Sequence, residues 1–335
     1  MDSPSPHDAP HRHTVAVRLD DLDRRIVGAL QVDGRASWRR IAEVLETPVS
    51  TVTRRGTALL GSGAVSVVAL PGTTTTAILE ITTVPQRVDA VARALAARSD
   101  TIFVYVLSAP TRIVVEEPQL TSGALARAVI EEIPAVDGVT GVSASPILDY
   151  YRTLSSWMPG QLSEAEAAAL NEGFGRLPPV DTAPLVGVDQ QILAILERDG
   201  RAPLTDIAAA VGQSEASIRR RLAGLVGTGV DVRAVVAPTL LGLDVSAFLW
   251  IRVTPGAVRT VAAEIAESKY VRYAAMTMGE HQLVIDVAVE TLEDFRRFVT
   301  EQPWTGKVES IRSSPVLSAY KRSGVAVTEI SPFNG

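Results

Sequence analysis

Apolar positions along the chain fall into two alternating rhythms. Over Asp189–Gly229, Ile192, Leu193 and Leu196, then Ile207, Ala208 and Val211, recur at helical spacing, so each segment has one apolar face. Asp199-Gly200-Arg201 separates the first segment from the second. Val211-Gly212-Gln213 forms a tight turn, because glycine accepts the positive φ that a sharp helix–helix corner often needs. Ser214 stands at an N-cap position, and Glu215 in the first turn suits the helix dipole. The third segment places Arg219, Arg220 and Arg221 beside the core positions Ile218, Leu222 and Leu225, and it stops at Gly227 and Gly229. Helix, turn of about four residues and basic helix make the pattern of a helix-turn-helix DNA reader.

The same pattern occurs earlier. Asp23–Gly63 aligns with Asp189–Gly229 without a gap, pairing Asp23 with Asp189, Ile26 with Ile192, Leu30 with Leu196, Asp33-Gly34-Arg35-Ala36 with Asp199-Gly200-Arg201-Ala202, Ile41-Ala42 with Ile207-Ala208, Arg54-Arg55 with Arg220-Arg221 and Gly61 with Gly227. A period this long is a domain duplication and not a solenoid. The Asp-Gly-Arg segments read as structural turns whose arginines pair with nearby acids.

Each helical unit is followed by a short strand, Val65–Leu70 or Val232–Val236, and then by a different rhythm. From Thr76 to Tyr151 the expected order is strand Ala77–Val84, helix Arg87–Arg98, strands Ile102–Leu107 and Arg112–Glu116, helix Leu120–Glu132 and strand Val139–Ser145. The order returns as Asp244–Val253, Val258–Glu267, Val271–Met278, His281–Val289, Leu292–Glu301 and Val308–Leu317. This is β-α-β-β-α-β, the ferredoxin-like order. The expected fold is α+β, with two winged-helix-like helix-turn-helix units and two ferredoxin-like domains in alternation. The expected division is a disordered tail (1–18), helix-turn-helix domain 1 (19–71), ferredoxin-like domain 1 (72–151), a linker (152–185), helix-turn-helix domain 2 (186–238), ferredoxin-like domain 2 (239–322) and a tail (323–335). A short helix at Ser163–Leu170 is either part of a plain linker or packed on a neighbour.

Length and composition narrow the function. With 335 residues, 46% apolar and 21% charged, the chain has room for several ordinary globular domains. A net charge of −6 argues against non-specific coating of nucleic acid but not against a local reader built from a few arginines. There is no run of about 18 apolar residues, so no membrane partner is expected. The first residues lack the apolar core of a signal peptide, and a cytoplasmic location is expected. The chain has no cysteine, which removes disulfides and thiolate chemistry. His7, His11 and His13 lie in the N-terminal stretch and read as a solvated tail, not a metal site. No catalytic constellation and no cofactor motif appear, so the chain reads as a non-enzyme without a cofactor.

The layout and the residues resemble the Lrp/AsnC family of transcriptional regulators. The resemblance rests on Leu19-Asp20-Asp21-Leu22-Asp23 with Asp33-Gly34-Arg35-Ala36-Ser37, on Asp189 onward, and on Met276–Val289, which looks like that family's glycine-marked hairpin. It covers about nine-tenths of the chain, in two copies. It implies binding to double-stranded DNA, a small effector such as an amino acid at the interface of paired sheets, and assembly into a dimer or tetramer of tandem chains. By helical phase Ser217, Arg219 and Arg220 face outward, together with Ser50, Thr51, Thr53 and Arg54 in the first copy. Ser214, Arg55 and Arg221 complete the DNA-contact set, with a structural role for Arg221 left open. The resemblance places the effector near Thr277, Gly279, Glu280 and His281, with Glu280 available to an ammonium group.

The copies have diverged. Pro48 replaces the capping Ser214, Gly56 replaces the core Leu222, and Ser108-Ala109-Pro110 stands where the second copy has Met278-Gly279-Glu280. The two readers therefore address different half-sites. One alternative is an enzyme resembling the siroheme decarboxylases, which use His and Arg in the sheet cleft. The other is an effector-sensing or oligomerisation protein whose helical units no longer bind DNA.

Overall fold

The computed structural model describes residues 19–70, 76–118, 121–175, 185–227 and 230–330. The first unit comprises α1 (Asp21–Val32), α2 (Trp38–Val44) and α3 (Val49–Gly61), followed by β1 (Val65–Leu70). Asp20 caps α1 by accepting from the Asp23 amide at 2.9 Å, and Ser37 caps α2 by accepting from Arg40 at 3.1 Å. Pro48 leaves α3 without a side-chain cap. Ile26, Leu30, Ile41 and Val52 meet in a fully buried core. A Cβ on Gly56 would lie 2.4 Å from the Trp38 ring. The indole thus takes the volume that Leu222 fills in the second copy, where Leu204 stands in place of Trp38. The expected loss of a core side chain at Gly56 is made good by its neighbour.

The second unit comprises α7 (Val188–Leu196), α8 (Leu204–Val211) and α9 (Glu215–Gly227), then β6 (Asp231–Val236). Gly212 ends α8 with a φ of 65°, as the corner requires. Here the caps are exchanged: Pro203 leaves α8 uncapped, while Ser214 Oγ accepts from the Ser217 amide at 3.2 Å.

The two units are locked together. β1 and β6 pair antiparallel in a two-stranded sheet of their own, from Val65 opposite Val236 to Leu70 opposite Asp231. The Asp-Gly-Arg turns interlock across this ribbon. Arg35 Nη1 donates to the Gly200 carbonyl at 2.5 Å and Nη2 to Ala202 at 3.1 Å, while Arg201 Nη1 donates to Gly34 at 2.6 Å and to Ala36 at 3.1 Å. The Gly34 amide donates to Val232 at 2.8 Å and the Gly200 amide to Val67 at 2.7 Å. A Cβ on Gly34 would come within 2.6 Å of the Val232 carbonyl oxygen, so this approach demands glycine. The expected pairing of these arginines with acids is corrected: each binds backbone carbonyls of the other copy.

The remaining strands close into one barrel. The first copy supplies β2 (Thr76–Thr83), β3 (Phe103–Leu107), β4 (Arg112–Pro118) and β5 (Val139–Arg152), with α4 (Val88–Ala97) and α5 (Ser122–Arg127). The second supplies β7 (Val245–Val253), β8 (Val271–Thr277), β9 (Leu283–Val289) and β10 (Val308–Arg322), with α10 (Val258–Ala266) and α11 (Leu292–Thr300). The order is β10-β3-β4-β2-β5-β8-β9-β7, and β7 pairs back to β10. Two seams join the copies, with Ile147 opposite Thr277 in one and Val316 opposite Leu107 in the other.

Two separate ferredoxin-like domains are therefore not what forms. The last strand of each copy runs far past its expected end and pairs with the other copy, which removes the open sheet edges. Aromatic side chains from both copies, including Phe103, Tyr105, Phe248, Trp250 and Tyr273, fill the interior. Separate apolar layers lie under α4 and α10 on the outside.

Two further differences follow, and of the two alternatives for the connector one is observed. The helix expected to Glu132 is α5 followed by a wider π-type turn at Ala128–Glu132. The expected tail from 323 contains β11 (Val325–Ile330), which pairs antiparallel with β10. The connector packs: α6 (Glu164–Leu170) lies on the first unit, Arg25 meets Glu166 at 2.5 Å, and Trp157, Leu162 and Ala167 are buried in the core shared by both helical units. The N-terminal tail with His7, His11 and His13, the prolines Pro178, Pro179 and Pro184, and Gly229 lie outside the described residues.

Candidate functional site

The helix-turn-helix geometry sorts the candidate DNA contacts into two groups. Arg55 does not face outward. Its Nη1 donates to Asp20 at 2.5 Å and Asp23 at 2.9 Å, and these bonds raise its pKa further. Arg221, its counterpart, donates to Asp189 at 2.8 Å. Both arginines tie the third helix of a unit to the start of the first. Arg54, Arg219 and Arg220 are exposed, as are Ser50 and Ser214, whereas Thr51, Thr53 and Ser217 are half-buried. Ser214 is occupied as a cap, and Ser217 Oγ lies 3.4 Å from Gln213 Oε1. The third helix of the second unit thus presents two adjacent exposed arginines and that of the first unit presents one.

The β8–β9 hairpin brings the four effector candidates to a seam between the copies. Thr277 is buried, and its Oγ1 donates to the His281 carbonyl at 2.8 Å. Gly279 has a φ of 142°. The Met278 amide donates to Pro146 of the first copy at 2.8 Å, and at the opposite seam the Ser108 amide donates to Pro315 at 3.0 Å. Glu280 is already engaged, accepting from Arg252 at 2.6 Å. Burial, with Arg312 and Arg252 nearby, lowers the pKa of His281 against the opposing pull of Glu280 and Glu80.

Several residues at this end of the barrel are missing from the sequence reading. Glu80 on β2 accepts from Arg112 and also from Arg312 of the other copy at 2.7 Å, and Arg312 lies 3.9 Å from the Trp250 ring centre. Glu80 sits in an apolar strand, so its one signal was a charge at an inward position. Deeper in the barrel, Glu116 Oε1 accepts from Tyr150, Thr76 and Tyr273 at 2.7, 2.8 and 3.1 Å, and burial raises its pKa. Arg272 and Asp286 form a fully buried pair at 3.0 Å.

Comparison with known proteins bears on both regions. Residues 19–60 and 187–226 match the AsnC-type helix-turn-helix domain, and residues 246–326 match the Lrp/AsnC ligand binding domain. A helix-turn-helix transcriptional regulator of Pyrococcus abyssi is 30% identical over 143 residues, 42% of this chain and 89% of that protein. The regulator FL11 of Pyrococcus horikoshii is 28% identical over 142 residues, 42% of this chain and 94% of that protein. In structure, the siroheme decarboxylase NirDL, solved with an iron-uroporphyrin III analogue, matches with a TM-score of 0.57 over 90% of this chain and 93% of that one, at 14% identity. That likeness is one of fold.

Proposed function

The chain belongs to the Lrp/AsnC family of transcriptional regulators, and from that premise we propose that it reads double-stranded DNA through two unlike helix-turn-helix units and answers to a small effector at the barrel seam. The observation that carries this reading is the reciprocal lock of Arg35 and Arg201. It fixes two recognition helices relative to each other inside one chain. Each reader takes its own half-site, so the operator need not be a palindrome. Arg219 and Arg220 lead in the second unit and Arg54 in the first, with Ser50, Thr51, Thr53, Ser214 and Ser217 near the backbone. Arg55 and Arg221 orient the helices.

We further propose the division into a helix-turn-helix and an effector part in each copy, at 19–71 and 72–151, then 186–238 and 239–322, with the linker of 152–185 between them. The two effector parts share the barrel. Whole chains assemble further as dimers or tetramers. Thr277, Gly279, Glu280 and His281 border the effector, and an amino acid would bring an ammonium to Glu280 in competition with Arg252. Binding shifts DNA affinity only so far as the ligand prefers one arrangement of the readers over another.

The test is selection of genomic fragments by the full chain across a salt series. Discrete fragments with a steep salt slope support the reading, and R219A/R220A should lower that slope by about two. Absence of selection at low salt, with and without amino acids, would sink it.

The whole-chain likeness to NirDL favours a second reading, a tetrapyrrole-directed enzyme. His281, the one histidine among the described residues, and Arg312 would be its groups. Titration with an iron porphyrin, followed by absorbance with wild type and H281A, separates the two readings.

A further inference from the structure

A small cavity of about 20 Å³ lies where the paired helical units meet the barrel, lined by Gln31, Leu70, Trp157, Arg233, Arg272 and Arg322 among others. That is room for a sphere of about the size of one water. The described lining residues include three arginines and no carboxylate.

Two of the arginines present unsatisfied donors. Arg233 is 1% exposed and gives Nη2 to the Trp157 carbonyl at 2.8 Å, but its Nη1 has no hydrogen bond and lies 3.8 Å from Asp231. Arg272 is 3% exposed and gives Nη1 to Asp286, while its Nε is unpartnered. Gln31, 2% exposed, contributes a primary amide whose Oε1 is also unpartnered, and turning that amide over would present a donor. A buried donor left unpaired costs about 1–3 kcal/mol, and more on a charged group. Burial pushes Arg233 down to about 10, so it stays charged at neutral pH. Asp286 and Asp231 are the nearby acids, and Arg152 adds to the positive field at Arg233.

We propose that this cavity is a binding site for a small monovalent anion of halide type, held by Arg233 Nη1, Arg272 Nε and the Gln31 amide. A site of this size suits a monatomic ion better than a larger oxyanion or a carboxylate. The bound ion bridges α1, β6 and β8. It therefore tightens the seat of the readers on the barrel, whether or not they bind DNA.

The experiment is diffraction from crystals of the full chain grown in bromide, combined with thermal unfolding in bromide against gluconate at equal ionic strength. The expected result is an anomalous peak within hydrogen-bonding distance of Arg233 Nη1 and an unfolding midpoint that rises saturably with bromide. R233M should lose both. Because R233M alone could fail to fold, Q31E provides the second test: its carboxylate replaces the ion, leaving a stable protein without the peak and without halide dependence. Water alone in the cavity overturns the proposal. A peak without any halide dependence of unfolding, or one that persists unchanged in Q31E, also overturns it.

Discussion

Trp38 and Gly56 form one unit of packing, and the second copy solves the same contact with Leu204 and Leu222. Gly56→Leu alone should overpack against the indole and cost about 1–3 kcal/mol. Trp38→Leu alone should leave a void and cost about 2 kcal/mol. The double variant recreates the second copy's solution and should return to within about 1 kcal/mol of wild type, as read by urea denaturation. Additive losses would contradict this.

Glu116 gives a residue-scale test in pH. Burial raises its folded pKa above the ordinary 4.5, against the lowering effect of its three hydroxyl partners. The folded state then holds the proton more tightly than the unfolded state. Its contribution is complete below about 4.5 and is lost as pH rises through the raised value. The stability of wild type relative to E116Q should therefore fall as pH rises from 4.5. A flat difference between their urea midpoints across that range would refute it. Gly56 stands out in the sequence, but only as a defect until Trp38 is placed beside it, and Glu116 reads as the end of a strand.

At the scale of elements, the helices and turns were legible because apolar spacing, caps and glycines are local. Ile26, Leu30 and Ile41 are buried in the structure as their phase demands, and Gly212 adopts the left-handed conformation. The long final strands were not legible, since their second halves owe their form to partners in the other copy. The same holds for Arg35 and Arg201, whose acceptors lie far away in sequence. Either R35A or R201A leaves buried carbonyls without donors and should cost about 2 kcal/mol. Both variants should retain their helical circular dichroism yet accept a wider range of half-site spacings. Unchanged spacing preference would mean that the β1–β6 ribbon alone sets the geometry. For the candidate site, sequence placed Arg54, Arg219 and Arg220 on exposed helix faces. It missed the roles of Arg55, Glu80 and Arg312, because each depends on which acid or ring packs opposite.

At the scale of the molecule, one chain closes a barrel and a reader pair that two identical copies would otherwise have to build. No helix among the described residues is long and apolar enough to cross a membrane. Covalent fusion lets the two halves diverge, which is visible in the unequal recognition helices and in the unlike hairpin turns at Ser108 and Gly279. The central claim is that these unequal readers are held together to grip one stretch of DNA. Hydroxyl-radical footprinting of the full chain on its selected fragments tests this most directly. The account expects two unlike protected patches on one face of the duplex, with R219A/R220A erasing one and R54A weakening the other. A single patch that neither change alters, or no protection at low salt, would contradict it.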